Sequence, residues 1–297
     1  MLMNRQPLAL KVRQTFRLTA DPFGELRGPE DLYVNADVRY VREAMFQAAV
    51  HDDFLAVTGE SGSGKTTVRR DLIDRLEREG RMVKIIQPYV LGMEENDRKG
   101  KTLRVGHIVE SILETLAPTE RPRQSAQARF AQLHRALIAS HEAGWRHCLI
   151  IEEAHCLPIP TLKHLKRLRE LEKGYTKLLS IILIGQTELE DRLSPRNAEV
   201  REVAQRISMV RLTPIPAGEI AAYLAHRLGR AGAKLDDVIQ PDAIEAIADR
   251  LTAVKARGAV EQSLLYPLAV GNLMTGALNL AAEYGETRIT ADVIRGV

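Results

Sequence analysis

Residues 59–66 read Gly-Glu-Ser-Gly-Ser-Gly-Lys-Thr, a full G-x-x-x-x-G-K-[ST] pattern, and this spacing is suited to holding a polyphosphate. The glycines let successive backbone N–H groups turn inward around phosphate oxygens, and a helix starting at the end of the loop adds partial positive charge. Gly59, Glu60, Ser61, Gly62, Ser63, Gly64, Lys65, Thr66 and Thr67 are therefore the expected nucleotide contacts. Lys65 would reach the β- and γ-phosphates and Thr66 would hold a metal through its hydroxyl, so ATP and Mg²⁺ are the expected cofactors. Further along, Leu149-Ile150-Ile151-Glu152-Glu153 ends an apolar run in two carboxylates. Glu152 is suited to acting on the metal, usually through its water shell, and Glu153 to polarising a water for attack on the γ-phosphate. Glu152 stands where Asp is usual and is one methylene longer. Gln186 follows the apolar run Ile181-Ile182-Leu183-Ile184-Gly185 and is the expected γ-phosphate sensor.

These residues need a scaffold that brings several strand ends together. Apolar runs at 54–58, 82–87, 148–152, 180–185 and 208–212 alternate with amphipathic stretches, which predicts a five-stranded parallel sheet covered on both faces. After Thr213-Pro214-Ile215-Pro216 only helical patterns are apparent, over 217–231, 241–254, about 259–284 and 290–296. The expected organisation is an N-terminal segment over 1–52, an α/β nucleotide-binding core over 53–213 and a small all-helical lid over 214–297.

The composition permits this architecture and narrows the partners. A chain of 297 residues with 45% hydrophobic content is long enough for one large or two modest cores. It contains no apolar run of membrane-spanning length and its N-terminus lacks a signal-peptide pattern, so a cytoplasmic protein without membrane contact is expected. The net charge is only +3, so any surface for nucleic acid must be local. The pairs His147-Cys148 and His155-Cys156 look like a zinc set. The intervening strand separates them by roughly 20 Å at about 3.3 Å per residue, so they are read as packing thiols.

Taken together, the spacing from Gly59 through Glu153 and Gln186 to the helical tail resembles the AAA+ ATPases. Within them it is similar to the ExeA-type ATPases and the transposition target selectors MuB, TnsC and TniB. Phe16-Arg17-Leu18, Asp21-Pro22-Phe23, Leu32-Tyr33, the Ile184–Leu189 stretch and Gln205-Arg206-Ile207 carry the same resemblance. It implies self-assembly into rings or helical filaments, with Arg206 completing a neighbour's site in trans and Arg201 and Arg196 as runners-up. The group's lid carries a Gly-x-Pro-Arg, whereas Gly271-Asn272-Leu273-Met274 stands in the corresponding stretch and Met274 cannot stabilise a phosphate. Slow hydrolysis, or nucleotide sensing mainly by the neighbouring subunit, is expected from that departure.

The resemblance implies an ATP-dependent regulator that binds duplex DNA without sequence preference and recruits a DDE-type transposase. Two basic loops offer the phosphate contacts: Lys99, Lys101, Thr102 and Arg104 in the first, Arg121 and Arg123 in the second. A secretion-associated ExeA-type ATPase and a helicase loader of the DnaC or IstB kind are the alternatives. The former is expected to continue into a membrane helix and a wall-binding domain beyond the point where this chain stops.

Overall fold

The computed structural model describes residues 6–88, 103–197, 199–254 and 260–297. Its strands are β1 (Phe54–Thr58), β2 (Val83–Ile86), β3 (Arg146–Ile151), β4 (Glu172–Lys173), β5 (Thr176–Lys177), β6 (Ser180–Gly185), β7 (Ser208–Arg211), β8 (Thr252–Val254) and β9 (Val260–Ser263). The helices preceding and within the sheet region are α1 (Leu10–Thr15), α2 (Ala36–Val50), α3 (Lys65–Arg78), α4 (Val105–Leu116), α5 (Ala126–Glu142), α6 (Ile159–Arg169), α7 (Glu188–Arg192) and α8 (Arg201–Ala204). Beyond them come α9 (Ile220–Arg230), α10 (Leu235–Val238), α11 (Pro241–Arg250), α12 (Pro267–Tyr284) and α13 (Ala291–Gly296).

All five expected strands form, and they pair in the order β2-β3-β6-β1-β7 with every contact parallel. The inner strands β1, β3 and β6 carry near-continuous apolar runs because both faces are covered, whereas the edge strand β7 buries only Val210. On β1, Leu55 and Val57 join Ile150, Ile182 and Ile184 against Val41, Met45 and Phe46 of α2 and Val68 and Leu72 of α3. Phe54 and Ala56 point the other way, with Leu149, Ile151, Ile181 and Leu183, toward side chains of α4, α5 and α6. Each such buried Leu or Ile contributes about 1.5–3 kcal/mol relative to exposure. Helix α2 is further tied to α3 by a two-toothed ion pair, Arg42 to Asp71 at 2.7 and 2.8 Å, and by Arg75 to Glu43 at 2.9 Å.

The chain divides into two compact units. One holds residues 36–61 and 68–212, and the other holds 1–35, 62–67 and 213–297. In the second unit, α1 and residues 16–24 share an apolar cluster with α9, α11, α12 and α13. The C-terminal region departs from the all-helical expectation. Thr252–Val254 and Val260–Ser263 pair as an antiparallel hairpin with a register irregularity at Ala253/Val254, so α11 ends at Arg250 and α12 begins only at Pro267. The reason is local. The pre-proline position disfavours helix at Tyr266, and Thr252, Val254 and Val260 are β-branched.

Candidate nucleotide site at the strand tips

The phosphate loop leaves β1 at Thr58 and enters α3 at Lys65, in the order the sequence predicts. Gly62 has φ +77° and Gly64 φ +100°, the left-handed region where a side chain is strained. At Gly62 a Cβ would also lie 2.5 Å from Cβ of Leu268, whose N–H donates to the Gly62 carbonyl oxygen at 3.3 Å. Ser63 is buried and its Oγ lacks a hydrogen-bond partner among the described residues. A loop of glycine-only conformations feeding a helix N-terminus, with a buried hydroxyl left unsatisfied, fits a bound phosphate chain. Gly59 to Thr67 would hold it, and a metal bound at Thr66 would supply charge neutralisation there.

At the neighbouring tips, polar side chains are tied in pairs. The Thr58 hydroxyl donates to Glu190 Oε1 at 2.6 Å, and Arg211 Nε lies 3.6 Å from the same oxygen. The Thr187 hydroxyl donates to Glu60 Oε1 at 2.7 Å, which joins the start of the phosphate loop to the tip of β6. Glu152 follows β3 and sits 3.2 Å from Arg69 Nε of α3, a contact of charges rather than an aligned hydrogen bond. Arg69, Glu190 and Arg211 carry no sequence motif, and Thr187 stands out in the sequence only as part of the Ile184–Leu189 stretch. Only the fold reveals their contacts.

Glu153 has φ +50° and ψ +35°, so a non-glycine residue occupies the left-handed region. Strain of this kind costs of order 1–3 kcal/mol and is held here by the one-turn helix Ala154–Cys156 that Glu153 initiates, where Cys156 N–H donates to the Glu153 carbonyl. The Glu153 side chain is half exposed. Gln186 follows β6 directly, and its backbone N–H donates to His155 Nδ1 at 3.3 Å. Chemically, the tips can orient a water with one carboxylate while a second offers charge to a metal.

The remaining expected residues lie elsewhere. Arg206 precedes β7 and pairs with Glu170 at 2.7 Å on an exposed surface, while Arg201 Nε donates to the Pro195 carbonyl at 3.2 Å. Met274 is wholly buried in the apolar cluster of α12. The α12 residue against the phosphate loop is Leu268. Lys99, Lys101 and Thr102 lie outside the described residues. Arg104 caps the start of α4. Arg121 and Arg123 are exposed on the turn between α4 and α5, which Gln132 fixes. Gln132 accepts from Arg123 N–H at 3.0 Å and donates to Glu120 at 3.0 Å and to the Arg121 carbonyl at 3.3 Å. Cys148 is buried and its thiol is pushed up to about 12 by desolvation.

Comparison with known proteins agrees with this geometry. Residues 48–193 match the family model described as an AAA domain. Over 243 residues the chain is 29% identical to general secretion pathway protein A of Aeromonas hydrophila, covering 79% of this chain but only 40% of that protein. Among solved structures it is similar to the ORC2 protein of Aeropyrum pernix in its ADPNP–ADP complexes, with TM-score 0.62, 17% identity, and 93% and 69% of the two chains covered. It is also similar to Drosophila ORC bound to DNA, with TM-score 0.63, 12% identity, and 100% and 68% covered. Among the described residues no helix is long and apolar enough to cross a membrane. The chain thus has the α/β P-loop NTPase fold, and its residues 48–193 are similar to an AAA domain.

Proposed function

We propose that the protein is an ATP-hydrolysing AAA+ regulator that binds duplex DNA without sequence preference and assembles on it as a ring or filament. In this reading it recruits and activates a DDE-type transposase and acts in the cytoplasm. The observation that carries the ATPase part is the glycine-shaped phosphate loop in a chain whose β3 runs straight into Glu152 and Glu153. Lys65 and Thr66 serve the phosphates and Mg²⁺, Glu152 the metal, Glu153 the water and Gln186 the γ-phosphate. Arg206 serves a neighbouring subunit, since it is half exposed and its Glu170 pair is a surface contact that a competing phosphate would displace.

The DNA part is supported by Arg121 and Arg123, exposed on a turn whose backbone is already fixed, with no ion pair to either side chain among the described residues. Lys99, Lys101, Thr102 and Arg104 complete the proposed contact with phosphates. Changing Arg121 and Arg123 to Ala should lower duplex affinity about equally for unrelated sequences. The slope of log affinity against log salt should fall by about one unit per lost contact. Fluorescence anisotropy with saturating ATP reads both, and identical slopes for wild type and variant would remove this turn from the DNA path. Lys65→Ala should abolish tight ATP binding and DNA-dependent assembly together.

A second reading is an ATPase of a secretion apparatus, favoured by the similarity to general secretion pathway protein A. ATP turnover indifferent to duplex DNA would support it over the first. Preference for single strands over duplex would instead support a helicase loader.

A further inference from the structure

His155 has no part in the assignments above, yet it stands between two of the residues they use. It lies in the one-turn helix Ala154–Cys156 that Glu153 begins, and its ring is largely buried. One ring nitrogen, Nδ1, accepts the backbone N–H of Gln186 at 3.3 Å. The other, Nε2, faces Glu153 Oε2 at 3.6 Å. A nitrogen that accepts carries no hydrogen, so on the neutral ring the hydrogen sits on Nε2 and points at the carboxylate. At 3.6 Å that contact is longer than a hydrogen bond, and a small rotation of either side chain closes it.

The two partners differ in freedom. The His155 side chain is 14% exposed and that of Glu153 is 53% exposed, so the imidazole is the fixed member and the carboxylate the adjustable one. Backbone packing holds the ring where it is. A Cβ on Gly185 would come within 3.2 Å of the His155 backbone nitrogen and 2.9 Å of Leu189 Cδ2, so glycine at the tip of β6 lets this turn lie close on the strand end. A displacement of Gln186 therefore reaches His155 directly, through the hydrogen bond and through this contact.

We propose that His155 is a positioning residue: it sets the orientation of the Glu153 carboxylate and links that orientation to the position of Gln186. When Gln186 sits correctly, the imidazole N–H draws Glu153 into the pose that orients water. When Gln186 is displaced, the carboxylate is released. This rests on the ATPase reading above, in which Glu153 is the water-polarising group.

Two substitutions separate the two ends of the ring. His155→Asn keeps an acceptor near the Nδ1 position and removes the donor that faces Glu153. His155→Gln carries an amide donor out to the Nε2 position. Purified full-length chain is assayed for ATP turnover with and without duplex DNA, alongside ATP-analogue affinity and thermal unfolding. His155→Asn should lose about 10-fold to 100-fold in kcat with KM, analogue affinity and unfolding midpoint unchanged, the effect of a misaligned reacting group. His155→Gln should recover most of that loss. In a Glu153→Gln background, His155→Asn should cost almost nothing further, because the two residues act as one unit. Wild-type turnover in His155→Asn, a Gln variant no better than Asn, or losses that add fully with Glu153→Gln would each overturn the proposal alone. No turnover by the wild-type chain under either condition would overturn the ATPase reading with it.

Discussion

The strand tips and the C-terminal helical region are built on opposite principles. At the tips, candidate site residues are held one by one through side-chain contacts: Thr58 to Glu190, Thr187 to Glu60, Arg69 to Glu152, His155 to Gln186. In the C-terminal unit an apolar cluster does the holding, together with the buried cation of Arg227. Arg227 donates to the carbonyl oxygens of Pro22 at 2.7 Å, Gly24 at 2.9 Å and Asp31 at 3.4 Å, stitching the N-terminal stretch onto α9. A single net hydrogen bond is worth about 1 kcal/mol, whereas losing this buried cation withdraws donors from three carbonyl oxygens at once, of which only that of Asp31 also has His226 Nε2, at 3.2 Å. Damage at the tips should therefore appear as altered turnover, and damage in the C-terminal unit as lost stability.

Glu153→Gln tests the first half of this contrast with the largest expected effect. It keeps the side-chain volume and removes the base, so turnover should fall by about 10²–10⁴-fold while the unfolding midpoint stays put. A variant that hydrolyses ATP normally would take the catalytic role from Glu153. Arg227→Met tests the second half: it should cost about 2–4 kcal/mol in chemical denaturation, with turnover per folded molecule preserved. Unchanged stability would mean that the apolar cluster alone carries this unit.

Gly62→Ala should show both kinds of damage. The new methyl meets Leu268 and holds a residue at φ +77°, which should lower stability by about 1–3 kcal/mol and weaken ATP binding together. Loss of stability with binding intact would show that the loop tolerates reshaping. The smallest effect belongs to Thr187→Val, which leaves Glu60 without its hydroxyl donor. About 1 kcal/mol is expected, read by thermal unfolding, and a zero effect would mark the Thr187 contact as dispensable.

The legible part of the molecule was the part written in runs and spacings. The phosphate loop and the inner strands β1, β3 and β6 are visible because a two-sided buried strand needs a near-continuous apolar run and a phosphate loop needs glycines at fixed intervals. The hairpins β4–β5 and β8–β9 escaped because strands of two to four residues are too short to establish a period. Residues 36–50 were assigned to the N-terminal segment, yet α2 packs on the sheet face with α3, since nothing in an amphipathic helix names the surface it will cover. The Glu152-Glu153 pair was readable, but the left-handed backbone at Glu153 was not. His155 drew notice only as a possible metal ligand, because its actual neighbour, Gln186, is 31 positions away.

The turn between α4 and α5 has a calorimetric consequence. Gln132 binds its backbone at two points and the Glu120 carboxylate at another, and Arg129 Nε adds a third backbone contact by donating to the Arg123 carbonyl at 2.9 Å. An anion arriving at Arg121 and Arg123 meets a backbone that has nothing left to fold. Its binding should therefore carry little heat-capacity change and draw its free energy from displaced counterions, so its affinity should respond steeply to salt and hardly at all to temperature.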